Sequence, residues 1–201
     1  HPPCYIFCHA KHLVIFGGVQ HGMCMPLMSR RSPDGSLLLL RSETHAVYVY
    51  KYFHHETPRL CSTYQAPSPI LDLQWYKLPA MAPINHGIER RWCYVISCRD
   101  VPTRFVDSID ACTKASYGII NHVEMYDPLF ALTFSDDASW MYAGQRNALA
   151  LFPLHAVGNN HHLALDLSSQ ASEQYEGGQH GIVSALAVGS SPAAAQQDAL
   201  E

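Results

Sequence analysis

One pattern constrains this chain more than any other: an apolar strand, a tight polar turn, a second apolar strand, another polar turn and an alternating strand, repeated along its length. The first copy reads Ser32-Pro33-Asp34-Gly35-Ser36, Leu37 to Leu40, Arg41 to His45, then Ala46-Val47-Tyr48-Val49-Tyr50. Asp34-Gly35 suits a reversal, because glycine takes positive φ without a Cβ clash and aspartate hydrogen-bonds its own backbone. The second copy runs from Ile70-Leu71-Asp72-Leu73-Gln74-Trp75 through a Pro- and Gly-bearing loop to Trp92 to Ser97. Cys98-Arg99-Asp100 turns it, and Arg104-Phe105-Val106-Asp107 closes it. The third is the cleanest: Leu129 to Phe134, the turn Ser135-Asp136-Asp137-Ala138, Trp140 to Ala143, the turn Gly144 to Asn147, and Ala148 to Phe152. A fourth opens at Gly181 to Val188 and stops.

Closing positions Tyr50, Val106 and Phe152 recur at about the roughly 40 to 50 residues of a propeller blade with loop insertions. The pattern predicts an all-β fold, a partial β-propeller of about three blades plus a stub. Propellers close with about four to eight blades, so three and a stub leave the ring open. The stretch Leu165 to Gly178 is polar with paired glycines and reads as a loop; the whole span from Asn159 to Gly178 is expected to be mobile. The organisation expected is an unmatched, irregular segment over 1–25, propeller blades over 26–192 and a tail over 193–201.

Net charge is −4 with histidine neutral, which excludes a generic basic nucleic-acid footprint but not local patches. No window approaches 18 consecutive apolar residues, so no membrane span is expected. The seven cysteines are odd in number and irregular in spacing, and read as buried reduced thiols of a nuclear or cytosolic protein. The chain starts at His1, and its first 23 residues lack the pattern of a signal peptide. The reading is that it begins within a larger gene product.

Asp72-Leu73-Gln74-Trp75-Tyr76, Tyr94 to Asp107, Ala115 to His122, Ala131 to Ser135, Met141 to Gly144 and Gly178 to Ser184, in that order, resemble the telomerase Cajal body proteins, WD-repeat scaffolds for small nuclear ribonucleoproteins. The resemblance covers about Ser32 to Pro192. Tyr117 to His122 and Gly178 to Ser184 make it specific; a Ser-Pro-Asp-Gly turn alone is not. Two departures stand out. Lys77-Leu78-Pro79 blurs a Trp-Tyr-Pro stretch, and Arg31 replaces a large aromatic, so the first blade's inner strand is expected to be damaged.

The resemblance implies a non-catalytic adaptor in the nucleus, in Cajal bodies, with the cytoplasm as the alternative. It would bind a small nuclear or telomerase-type RNA and ribonucleoprotein partners, with no cofactor, no small-molecule substrate and no membrane. Arg99, Arg104, Lys114, Tyr117 and Arg146 are the candidate contacts, since arginine chelates phosphate and tyrosine stacks on an unpaired base. The plainer reading makes them solvated turn residues. A generic protein-interaction scaffold and a truncated product without independent function are the rival accounts.

A histidine-based metalloenzyme is the rival from another class. Cys4, Cys8, His9 and His12 crowd into nine residues, unlike the spaced pairs of structural zinc. Val14 to Gly18 lacks the third glycine and following helix of a phosphate-binding loop. Neither a Gly-x-Ser-x-Gly elbow nor a His-Glu-x-x-His pair occurs. No catalytic or metal-ligating residue is expected.

Overall fold

A computed structural model describes residues 5–9, 12–16, 26–51, 58–77, 92–167 and 181–189. Those residues contain no helix. Strands β1 (Tyr5–His9) and β2 (His12–Phe16) form an antiparallel hairpin, where the sequence suggested an irregular segment. Blade I is β3 (Pro26–Arg31), β4 (Leu37–Ser42), β5 (Ala46–Lys51) and β6 (Arg59–Gln65), each antiparallel to the next. Blade II is β7 (Ile70–Lys77), β8 (Trp92–Cys98), β9 (Thr103–Asp107) and β10 (Thr113–Gly118). Blade III is β11 (Ala131–Phe134), β12 (Trp140–Gly144), β13 (Ala148–Pro153) and β15 (Leu163–Asp166). Between its last two strands lies β14 (Gly158–Asn159), which pairs in parallel with β10 of blade II. The architecture is that of a partial β-propeller.

Middle strands of a propeller blade are buried on both faces, and β8, buried along its whole length, shows why Trp92 to Ile96 is continuously apolar. Tyr94 and Ile96 pack toward blade I with Leu39, Val47, Val49, Ile70, Leu73 and Val106. Cys93 and Val95 pack the other way, with Phe105, Tyr117, Leu132, Met141, Ala150 and Phe152. Burial pushes the Tyr94 hydroxyl well above the usual tyrosine range, helped by neighbouring Tyr64, Cys93 and Asp107.

The Ser-x-Asp-x-Ser turns are the clearest repeat. Asp34 accepts from Ser32 Oγ at 2.6 Å and from the Ser36 amide and hydroxyl at 3.0 and 2.8 Å. Asp137 does the same with Ser135 Oγ at 2.5 Å and the Ser139 amide and hydroxyl at 3.1 and 2.6 Å. Gly35 has φ +76°, and Ala138 holds the equivalent place at +57°.

Several sequence expectations change. Arg31 does not destroy the inner strand: β3 forms, and the guanidinium folds over the turn to bond the Gly35 carbonyl at 3.1 Å. Each blade has a fourth, outer strand (β6, β10, β15) that the three-strand pattern lacked. Leu163–Asp166 is a sheet strand rather than part of a loop. Cys93 and Cys98 are buried as expected, whereas Cys61 and Cys112 are exposed. The side chains of Val14, Ile15 and Phe16, the polar stretch 168–178 and the tail 193–201 lie outside the described residues.

Candidate partner-binding rim

Neighbouring blades are locked in register by side chains that cross between them. Trp92 Nε1, at the start of β8, donates to Asp34 in the first turn of blade I at 2.8 Å. Tyr76 OH, near the end of β7, donates to the Ala138 carbonyl in the first turn of blade III at 3.0 Å. First turns therefore share one rim. Because strands alternate in direction within a blade, second turns and blade-to-blade connections share the other.

Asp72 ties the inner strands of all three blades together. Its Oδ2 accepts the Leu132 amide of β11 at 2.7 Å, its Oδ1 accepts the Leu73 amide at 2.8 Å, and Arg30 of β3 lies at 3.5 Å. Trp75 Nε1 adds a bond to the Arg30 carbonyl at 3.1 Å. Nothing in the local sequence marks Asp72 for this role except its place in an alternating apolar strand.

The three second turns each carry a non-glycine residue with positive φ: His45 (62°), Asp100 (63°) and Asn147 (59°). Aspartate and asparagine tolerate this conformation better than most residues. The exposed side chains of Arg99 and Arg146 are mounted beside the last two of these positions. The Arg99 backbone is fixed on both sides, its amide donating to the Pro69 carbonyl at 2.9 Å and its carbonyl accepting from Ser68 Oγ. Neither guanidinium has an ion-pair partner among the described residues, so Arg99 does not pair locally with Asp100 or Asp107.

The other three sequence candidates stand elsewhere. Arg104 lies in β9 and donates to the Tyr64 hydroxyl of β6 at 2.9 Å, bridging blades I and II. Lys114 is held by Asp110 at 3.1 Å and Asp107 at 3.7 Å, near the opposite rim; the Asp110 hydrogen bond raises its affinity for the proton. Tyr117 is only 2% exposed, packed against Phe105 and Phe152, with its hydroxyl on the Leu154 carbonyl at 2.7 Å. That ring has no open face for a base.

The linker Tyr117 to His122 does organise the rim. Asn121 Oδ1 accepts the Val123 and Met125 amides at 3.0 and 3.1 Å, and its Nδ2 donates to Asp127 at 3.0 Å. Asn160 Oδ1 accepts the Ile120 amide at 2.9 Å, and Asn159 Nδ2 reaches the Tyr126 hydroxyl at 3.1 Å. The turn thus held presents Val123 and Met125 to solvent, each more than half exposed. Gly181 to Val183 docks beside the last second turn: Asn147 donates to the Gly181 carbonyl at 2.8 Å and Val183 to the Gln145 carbonyl at 3.0 Å. Gly144 is required there, since a Cβ would lie 2.5 Å from the Val183 carbonyl oxygen. Among the described residues no group of three or more His, Cys, Asp or Glu side chains is placed to hold a metal ion.

These features define an architecture: the blades of a partial β-propeller, locked edge to edge by side chains that cross between them, with the second turns carried on a rigid frame. No protein-family model matches the chain. It is similar to the human protein named Telomerase Cajal body protein 1, 26% identical over 167 residues, which covers 78% of this chain and 28% of that protein. The bovine protein of the same name is 25% identical over 167 residues, again 78% of this chain and 29% of that protein. The fission-yeast protein named Guanine nucleotide-binding protein negative regulator 1 is 26% identical over 135 residues, 62% of this chain and 33% of that protein. The chain spans about a third of the length of these relatives. The resemblance carried by the linker and the blade motifs is therefore matched, at modest identity, by a part of each of these proteins.

Proposed function

We propose that the chain is a non-catalytic scaffold that binds a small nuclear or telomerase-type RNA together with ribonucleoprotein proteins, and works in the nucleus. The observation that carries this reading is the pair Arg99 and Arg146, both exposed on second turns of adjacent blades and both without an ion-pair partner among the described residues. Two unengaged guanidiniums on rigid turns can each chelate a phosphate with little ordering cost. The similarity to proteins named for telomerase and Cajal bodies supports the choice of ligand.

The test measures binding of in vitro transcribed small nuclear RNAs to the purified chain over a range of salt. R99A and R146A should each weaken binding and each reduce the salt slope by about 0.7, one phosphate contact's worth on a single strand. Stability should change by less than about 0.5 kcal/mol, as for exposed surface positions. Unchanged affinity at every salt concentration removes the arginines from the interface.

A second reading is a protein-interaction scaffold without RNA contact. Val123 and Met125 favour it: two large apolar side chains held out on an ordered turn suit a partner's apolar pocket.

A further inference from the structure

The seam between blades I and II gathers donors that have no acceptor among the described residues. Arg41 of β4, Val47 of β5 and Tyr64 of β6 stand opposite one another in one row across blade I. Residues opposed in this way share a face of the sheet. Val47 and Tyr64 pack into the core shared with blade II, so Arg41 faces blade II as well. Across the seam Leu73, Ile96 and Arg104 form a row of blade II, and Leu73 and Ile96 belong to that same core. Arg104 Nη1 reaches over to the Tyr64 hydroxyl at 2.9 Å. Burial pushes the Cys98 thiol of this core up to about 11, and the charges of Arg104 and Arg41 both act against it, which sets the two cations around one point.

These groups are short of partners. Arg41 makes no hydrogen bond or ion pair among the described residues, and its Nε is buried without an acceptor. Arg104 gives one N–H to Tyr64 and keeps the rest of its fork, while the Tyr64 hydroxyl accepts that bond with its own proton still to give. Glu43 and Asp100, the carboxylates of the adjoining second turns, are exposed and form no ion pair with either arginine among the described residues. Buried polar groups are normally satisfied, and this set offers only donors and positive charge. Arg41 leads into the second turn of blade I and Cys98 into that of blade II, so the seam opens on the rim that carries Arg99.

We propose that this seam is a phosphate site, in which Arg41 and Arg104 hold one phosphodiester of the RNA between them and the Tyr64 hydroxyl donates a further bond. The occupant rests on the RNA-binding reading above. Two convergent guanidiniums match the charge and the several acceptor oxygens of a phosphate, and the sheets fix their spacing in advance. A strand leaving the seam passes on to Arg99, the residue after Cys98.

Two measurements on the full chain test this, with circular dichroism to verify each fold. R41M and R104M remove the charge and keep an aliphatic stem; R59M, at the other end of β6 from Tyr64, is the control. In the first measurement inorganic phosphate is the probe. At about ten times its dissociation constant it shifts the folding equilibrium about elevenfold, raising the thermal midpoint by about 3–6 °C. The parent and R59M should show this rise over R41M and R104M at equal phosphate, so that the general salting effect of phosphate cancels. In the second, transcribed small nuclear RNA is titrated over a range of salt. R41M and R104M should each weaken binding, and R41M/R104M should lower the salt slope by about 0.7, one phosphate's worth and not two. An equal phosphate response in parent and variants, an equal response to acetate, or RNA binding that loses slope in R99A and R146A but not in R41M/R104M, would overturn the seam site and leave the RNA reading standing. Phosphate held in the seam of a chain that binds no RNA would overturn the occupant and the RNA reading together.

Discussion

Replacing Asp72 by alanine tests whether one carboxylate holds the blades in register. The substitution strands two backbone donors, the Leu132 amide at 2.7 Å and the Leu73 amide at 2.8 Å, both in buried surroundings. A buried donor left without an acceptor costs about 1–3 kcal/mol, so the pair costs about 2–6 kcal/mol. The Arg30 contact adds little: at 3.5 Å, with its side chain 37% exposed, it is worth about 0–1 kcal/mol. Against a domain stability of about 5–15 kcal/mol, D72A removes a large share. D72N should fall between, because its single carbonyl oxygen serves only one of the two amides. R30A should cost under about 1 kcal/mol. Urea unfolding of the three variants measures the differences through the shift in midpoint at constant slope. A D72A loss below about 1 kcal/mol, or an R30A loss equal to it, would refute the reasoning, since the two amides would then have other acceptors or the ion pair would dominate.

Two further outcomes follow from the repeated turns. Ala138 sits at positive φ where blade I uses glycine, so A138G should raise the thermal midpoint, by about 0.5–1 kcal/mol in stability, while G35A should lower it by a similar amount; equal melting curves would contradict this. Serine hydrogen bonds from Ser135 and Ser139 hold the Asp137 carboxyl down at about 2. For Asp34, burial acts upward but is outweighed by bonds from Ser32, Ser36 and Trp92, which hold it far below the usual carboxylate range. Both groups are more acidic folded than unfolded. Their contribution is therefore complete above the unfolded pKa near 3.8; that of Asp137 is lost as pH falls through about 2, and that of Asp34 at still lower pH. Acid unfolding followed by circular dichroism should show the loss there, and D34N/D137N should flatten it.

The middle of each blade was legible because of how blades pack. A strand covered on both faces must be largely apolar, as Trp92 to Ile96 is, and a tight reversal favours residues such as Asp34-Gly35. The outer strands were not legible for the opposite reason. Leu163–Asp166 is exposed along its whole length, and β6 runs through consecutive polar residues from Ser62 to Gln65, so neither shows the alternation of a half-buried strand. Arg31 misled because it stands where the resemblance calls for a large aromatic, whereas its side chain reaches out to the turn. At the rim, Arg99 and Arg146 could be placed on turns from local sequence alone. Tyr117 could not: whether an aromatic before a glycine faces solvent or the core depends on Phe105 and Phe152, and the latter belongs to another blade. Asp72 was invisible as a joint because its partner at Leu132 is 60 residues away.

The parallel pairing of β14 with β10 bears on the order in which the chain can fold. Blade II gains its last two-residue strip only when the loop of blade III has arrived, as the bond from the Ile120 amide to Asn160 shows across 40 residues. Loop-closure entropy must be met before such a distant contact forms, which slows folding. Blades II and III would then mature as one kinetic unit, not in the order in which the ribosome delivers them. A nascent chain halted just past Gly118 would hold blade II with its outer edge bare.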